Sequence, residues 1–505
     1  MAELSAHLTQ KELEVHLWGA ATLLRGLIDA SDYKQYIFPL LFFKRLTDVW
    51  DEDYQQAIAD TGDAGYAAAT ANDRFKIPEG AHWKDVRAAS RDIGRALLNA
   101  FQSIEAANPE RLRGVFGNAP WTDKAQVPDG TLKNLIEHFS KHALSLTNVP
   151  EDELGNGYEY LIKQFADDSG HTAQEFYTNR TLVHLMAQML EPQAGESIYD
   201  PTCGTGGMLI SCLAEVKRRG GDTRTTGLYG QELINITAAI ARMNLVLHGV
   251  SDFQIASGNT LAAPAFADHG RLRTFDVVLA NPPYSIKKWN RAAWESDAWG
   301  RNFLGTPPQG RADYAFFQHI LKSMDSATGR CAILFPHGVL FRNAEHDMRR
   351  KLVETDLVDC VLGLGPGLFY NSAMEACVVI CRSNKPKSRR GKVLLIDAAH
   401  EFAREGAQSF LHTGHQDRIL AAYRAFADAP GFAALVSIED VLAKGSSLSI
   451  PLYVKKPKSQ VASGEDNDLA EGWVALDQGG RDYWTQMDAL VDMLDGLVAE
   501  EANGD

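Results

Sequence analysis

From about residue 195 onward, short apolar runs alternate with amphipathic stretches. The runs are "SIYDP", "GLYGQE", "FQIASGN", "FDVVLANPP", "RCAILFP" and "VDCVLGL", and the stretches lie at 207–219, 234–247, 312–325 and 343–354. A strand that returns parallel to its neighbour needs a crossover of a dozen or more residues, usually a helix. The alternation therefore predicts an α/β fold, a mostly parallel Rossmann-like sheet with helices on both faces. Ligands in such sheets sit beyond the carboxyl ends of the strands, so the residues that end each run are where chemistry is expected. "ACVVICRS" and "KVLLIDAA" add later strands, both expected to run antiparallel.

The 505 residues exceed one typical domain. Residues 1–150 read as an all-α domain, because "LWGAATLLRGLIDASDYKQYIFPLLFFKRLTDVWDEDYQQAI" repeats apolar positions every three or four residues. Asp29 to Asp32 should break the pattern and cap the next helix. Residues 151–455 hold the α/β domain. Residues 456–505 begin as a polar linker, "KPKSQVASGEDNDLAE", and end in a helical tail with Trp484, Met487, Leu490, Met493 and Leu497 on one stripe. That stripe suits either packing on its own domain or a partner.

Three strand ends bear on a ligand. "YDPTCGTGGMLI" ends a strand at Asp200 and opens a helix through Gly204, Thr205, Gly206 and Gly207. Glycines there admit a ligand close to the backbone, and the helix N-terminus favours negative groups. No Gly-Lys-Ser/Thr follows, so this is not a Walker loop, and the turn alone leaves a hydride-transfer cofactor open. Glu232, 32 residues after Asp200, ends the next strand, where a carboxylate can accept both hydroxyls of a ribose. Together the turn and carboxylate favour an adenosine-containing cofactor. Asn259, ending the third strand, suits either the adenine edge or an Asn turn.

The fourth strand end is the most specific. "VVLA" runs into Asn281-Pro282-Pro283-Tyr284, and two prolines that cannot donate to a ladder end the strand there. An exocyclic aromatic amine is a poor nucleophile because its lone pair is delocalised into the ring. Acceptors aimed at its N–H bonds, here the Asn281 side chain and the Pro282 carbonyl, favour a pyramidal nitrogen. The diproline holds both in place. Tyr284 offers a face on which an extruded base can stack.

The "DPTCGTGG" and "NPPY" motifs, preceded by "EFYTNR", resemble those of γ-class N6-adenine DNA methyltransferases. "GRADYAFFQHILKSM", "ILFPHGVLFRNAEHDMRRKLVE", "LFYNSAMEACVVICRSNK" and much of residues 15–455 are similar to the methylation subunit of type I restriction–modification systems. The resemblance implies S-adenosylmethionine as cofactor and adenine in double-stranded DNA as substrate. It implies that Glu175, Phe176, Tyr177, Thr178, Asn179 and Arg180 line the cofactor pocket with Asp200. Thr205, Gly206 and Gly207 would contact the methionine part, Glu232 the ribose and Asn259 the adenine, while Asn281, Pro282, Pro283 and Tyr284 act on the base. Asn179 stands where proline is common in the family, Asn259 where aspartate is, and "NSAMEA" replaces a glycine-rich stretch. The implied partners are a specificity subunit shared by two copies of this chain and a restriction/translocase subunit.

A formal charge of −15, from 65 acidic and 50 basic residues, argues that another chain supplies most of the grip on DNA. The loop "SIKKWNRAAWESDAWGRNF" interleaves Lys287, Lys288, Arg291 and Arg301 with Trp289, Trp294 and Trp299. It either lies on DNA or folds with its tryptophans buried. The six cysteines form no Cys-x-x-Cys pair; Cys377 and Cys381, four apart in "ACVVIC", read as buried strand residues rather than a zinc pair, and no metal is expected. No apolar run is long enough to span a membrane, and the expected location is the cytoplasm. Alternatives to N6-adenine methylation are N4-cytosine methylation, glutamine-N5 methylation of protein, and an inactive scaffold subunit.

Overall fold

The computed structural model describes residues 7–29, 32–168, 179–250, 252–284, 286–368, 376–405 and 408–455. The amino-terminal part is helical: Gln10–Thr22, Lys34–Thr61, Ala64–Ala71, Trp83–Ala88, Ile93–Ala107, Asp129–Phe139 and Glu151–Asp168. Thr9 and Glu12 form a capping box on the first helix. The expected break falls at 23–33, but Tyr33, not an aspartate, is the N-cap of the second helix. That helix places Phe38, Phe42 and Phe43 in an aromatic core with Trp83, Phe101 and Phe116. Leu154, Tyr158 and Leu161 from Glu151–Asp168 join the same core, as do Ile240 and Met243 from helix Asn235–Leu247.

Among the described residues, nine of the thirteen strands form one sheet, as the alternation predicts. In chain order these are β1 (Ser197–Asp200), β2 (Gly227–Glu232) and β3 (Phe253–Ser257). A small hairpin of β4 (Ala267–Asp268) and β5 (Arg271–Leu272) precedes β6 (Val277–Ala280), β7 (Arg330–Pro336), β8 (Val358–Leu364), β9 (Ala376–Arg382) and β10 (Lys392–Ala398). A second hairpin, β11 (Ala403–Glu405) with β12 (Gln408–Phe410), precedes β13 (Ala433–Ser437). The sheet order is β13-β10-β8-β9-β7-β6-β1-β2-β3. β9 runs antiparallel to β7 and β8, and β13 antiparallel to β10. β10 itself runs parallel to β8, against the expectation for "KVLLIDAA". Val393 to Ile396 form a continuous buried run, that of a strand covered on both faces, which carries no sign of direction. All six cysteines are buried, four of them in β7, β8 and β9. The carboxyl-terminal helix expected in 456–505 lies outside the described residues.

β1 lies between β6 and β2, both parallel to it. The chain therefore builds outward through β2 and β3, then crosses back to β6 on the other side of β1. Such a reversal of direction opens a crevice at the carboxyl ends, which is the topological switch point of an open α/β sheet. The amino end is closed by a different device. Arg330, buried at the start of β7, donates to the carbonyls of Leu190 (2.7 Å) and Glu191 (3.0 Å) and pairs with Glu196 at 2.7 and 2.9 Å. It ties the end of helix Arg180–Leu190 to the approach to β1. Arg330→Met should lower unfolding free energy by ~3 kcal/mol, since removing one member of a buried pair strands the others. Urea titration checks this, and a loss below about 1 kcal/mol would show that water replaces the guanidinium there.

Candidate active site

Backbone strain fits the turn after β1 to its glycines. Gly204 has φ +52° and Gly206 has φ +82°, a region that costs a β-carbon about 1 kcal/mol or more. A side chain at Gly207 would collide with the Arg180 guanidinium, which pairs with Glu159 at 2.5 Å. Arg180 and the turn, distant in sequence, are thus brought together. Asn179 caps helix Arg180–Leu190 through its side-chain oxygen and donates to the Ser409 carbonyl. An asparagine in place of proline therefore supplies a cap and a tether. Glu175, Phe176, Tyr177 and Thr178 lie outside the described residues.

Glu232 reaches across to the same turn. One carboxylate oxygen accepts the Gly204 N–H at 3.0 Å and the other accepts the Ile234 N–H at 2.8 Å. Asp200 is 2% exposed, and burial, reinforced by the Glu232 charge, pushes its carboxyl up to about 7, although the Thr202 N–H works the other way. Two carboxylates at adjacent strand ends thus differ in kind: one is buried and half-protonated at neutral pH, the other half-exposed. Thr205 is buried, and its carbonyl accepts a bond from the Asn244 side chain at 2.9 Å.

Asn259 is exposed, and its side-chain oxygen accepts the N–H groups of Leu261 (2.9 Å) and Ala262 (3.1 Å). It makes the Asn turn that was one of its two readings. Beside β1, all four residues of β6 are buried. Asn281 then stands half-buried, Pro282 buried, Pro283 exposed and Tyr284 half-buried. The Tyr284 hydroxyl donates to the Asn281 side-chain oxygen at 2.8 Å. Burial pushes the Tyr284 phenol up, so the hydroxyl keeps the proton it donates.

Several residues here escaped sequence reasoning. The Tyr284 hydroxyl had been given no part. Gln231, buried beside Glu232, spans the Ala263 carbonyl and the Ala265 N–H at 2.9 Å each. Asn244 is wholly buried on a mostly apolar helix face that it shares with Thr237, which was its only signal. Leu233 is 63% exposed directly after Glu232, a large apolar side chain on the crevice rim. In the loop after the tetrapeptide, Lys287 and Lys288 are exposed, but Trp294 and Arg301 are buried and Arg291 is bound to Glu295 and the Pro307 carbonyl. Of the two readings of this loop, the buried tryptophan core holds for Trp294, and Arg301 is not available to DNA.

Residues 149–461 match the N-6 DNA Methylase family and residues 13–139 the HsdM N-terminal domain. The chain is similar to the MjaIX methylase subunit of a type I restriction enzyme from Methanocaldococcus jannaschii. The two are 27% identical over 478 residues, covering 88% of this chain and 84% of that protein. The HindI methylase subunit from Haemophilus influenzae is 31% identical over 318 residues, covering 61% and 68% respectively. A solved type I restriction–modification methyltransferase subunit from Streptococcus thermophilus superposes with a TM-score of 0.77 at 30% identity, covering 88% of this chain and 100% of that one. Likeness of that extent, running through the helical region and the sheet alike, shows that this chain belongs to the N-6 DNA methylase family, among the methylation subunits of type I restriction–modification systems.

Proposed function

We propose that this subunit moves the methyl group of S-adenosylmethionine to the N6 amino group of adenine in double-stranded DNA. The observation that carries the reading is the parallel pairing of β1 with β6, which sets the glycine-rich turn and Asn281–Tyr284 side by side at one sheet edge. When bound, S-adenosylmethionine supplies a methyl group made electrophilic by its sulfonium. The residues present fit such a group. Gly204, with open space beside it, admits a ligand to the turn that leads into the helix N-terminus, and the Arg180 guanidinium against Gly207 suits its carboxylate. Asp200 would face its cationic end, and the Glu232 carboxylate, at the end of the next strand, would accept the ribose hydroxyls. Leu233 covers the purine, and Thr205, Asn259 and Arg180 bound the pocket. Glu175, Phe176, Tyr177 and Thr178 are assigned to it by family resemblance.

On the substrate side, the Asn281 oxygen and the Pro282 carbonyl accept the two N–H bonds of the target amine. This localises its lone pair toward the cofactor. Tyr284 stacks on the extruded base while its hydroxyl orients the Asn281 amide. Pro283, exposed, stiffens the segment.

Partners follow from charge as well as kinship. At −15 the chain's long-range field repels a polyanion, and extruding a base costs a few kcal/mol that binding must offset. A specificity subunit would supply base contacts, with two copies of this chain beside it and a restriction/translocase subunit on the assembly. Residues 472–501, outside the described residues, are the proposed contact. Among the described residues no helix is long and apolar enough to cross a membrane.

Digesting DNA methylated by the assembled complex should yield N6-methyladenine, and N4-methylcytosine alone would overturn the assignment. Asn281→Ala should cut turnover on the order of a hundredfold or more with cofactor affinity retained, because its partner is the amine. Tyr284→Phe should cost about tenfold, one hydrogen bond's worth, and Tyr284→Ala more through lost stacking. Equal losses would remove the ring from the mechanism.

Asp200 gives two opposed pH dependences. A carboxyl in an unfolded chain titrates near ~4, and the folded protein holds the Asp200 proton more tightly. The stability it contributes at low pH is therefore lost as pH rises toward about 7. A cationic ligand needs the carboxylate, so S-adenosylmethionine affinity should fall about tenfold per pH unit below that value. Calorimetry in buffers of different ionisation enthalpy should show proton release that Asp200→Asn abolishes. Affinity independent of pH in the wild type would take Asp200 off the ligand.

Lys287 and Lys288, exposed after the tetrapeptide, are proposed to meet phosphates beside the extruded base. Reversing both charges should weaken DNA binding by the complex and flatten its dependence on salt. An unchanged slope would assign the lysines to solvent.

A further inference from the structure

The loop between β6 and helix Asp313–Lys322 has a core of its own. Asn290 caps the short helix Arg291–Glu295, and Trp294 packs against Ala312, Ala315 and Phe316, with Leu261, Ile286 and Trp289 at the margin. Leu261 comes from the turn after β3, so the loop folds over that turn.

At its centre Arg301 is wholly buried, at 0% exposure. A buried guanidinium costs several kcal/mol unless its donors are met. Here Asp297 takes Nε at 3.0 Å and Nη2 at 2.6 Å. The remaining donors go to the carbonyls of Thr260 (3.0 Å) and Leu261 (2.8 Å), and to His319 Nδ1 at 3.4 Å. Trp294 and Trp299 flank it, 4.6 and 4.8 Å from their ring centres. His319 in turn meets the Tyr199 hydroxyl at 3.1 Å, one residue before Asp200.

The turn Arg301 grips is fixed from every side. Its N–H groups are taken by Asn259 and its carbonyls by Arg301. The Thr260 hydroxyl donates to the Pro201 carbonyl at 2.6 Å, and Gln231 holds Ala263 and Ala265 just beyond. The three anchors are the loop after the catalytic tetrapeptide, the end of β1 and the end of β2. Lysine, a point donor on a flexible stem, cannot span two carbonyls and a carboxylate in one plane.

We propose that Arg301 is a positioning residue for the cofactor site, a strap that sets the shape of the 259–262 turn and with it the preference for adenine in the bound nucleoside. The inference rests on the assignment of the crevice to S-adenosylmethionine.

The test compares affinities of the full chain for S-adenosylhomocysteine and for S-inosylhomocysteine, whose purines differ at the 6-position and in the proton on the adjacent N1. Arg301→Lys should weaken the first more than tenfold and compress the ratio of the two at least fivefold. Arg291→Met, in the same loop but off the turn, should leave the ratio as in the wild type. Should Arg301→Lys fail to fold, the paired change Asp297→Leu with Arg301→Met replaces the buried ions by apolar groups of similar size, a change that buried pairs often tolerate. It too should compress the ratio. A folded variant of either kind with the wild-type ratio overturns the strap alone. Absence of any binding by the wild type would overturn the cofactor assignment and the strap with it.

Discussion

Everything at the site depends on two short strands lying parallel and adjacent, β1 and β6, with Ile198 opposite Val277 and Tyr199 opposite Val278. By this register Asp200 lies level with Leu279, and Asn281 stands two residues further along, at the same carboxyl end of the sheet. On the other side of β1, Gly230 lies level with Asp200 and Ser257 with Glu232, so Glu232 stands two residues beyond Asp200 and Asn259 two beyond Glu232, all at the carboxyl end. No single residue needs to search for the others, since the ladder register fixes their separation. The chemistry then lies in what each strand end does with its last residue.

Those ends are built differently. The turn after β1 is made of glycines in left-handed conformations and leaves room for a ligand, with the Arg180 guanidinium against Gly207. The end of β6 is stiff, two prolines long, and presents an amide oxygen already engaged by the Tyr284 hydroxyl. That bond engages the half-buried amide oxygen and fixes the amide orientation. Pre-ordering of this kind suits a step in which the protein contributes position more than acid or base.

The loop from 286 to 311 joins the two sides. It leaves the sheet at the catalytic segment and returns its buried arginine to the turn after β3. The backbone that follows β6 and the turn that follows β3 are thereby tied through one guanidinium. The chain's acidic surface stands apart from this arrangement, since it governs encounter with a polyanion and not the geometry inside the crevice.

Much of this was legible in the amino-acid sequence. Alternation of apolar runs with amphipathic stretches is a local signal, and it located the nine-stranded sheet's first six strands. Motif spacing located Asp200, Glu232 and Asn281 because each is a strand end, which composition and proline or glycine punctuation mark directly. The direction of β10 was not legible, because a strand buried on both faces looks alike in either orientation. Nor was the fate of Arg301. A cation among tryptophans reads equally as a nucleic-acid contact or a buried clamp, and only the approach of Thr260 and Leu261, some forty residues earlier, decides which. Asn244, Gln231 and the Tyr284 hydroxyl share that cause. Their partners are set by how helices and turns pack over the sheet, and burial with its hydrogen-bond demands exists only once the chain is folded.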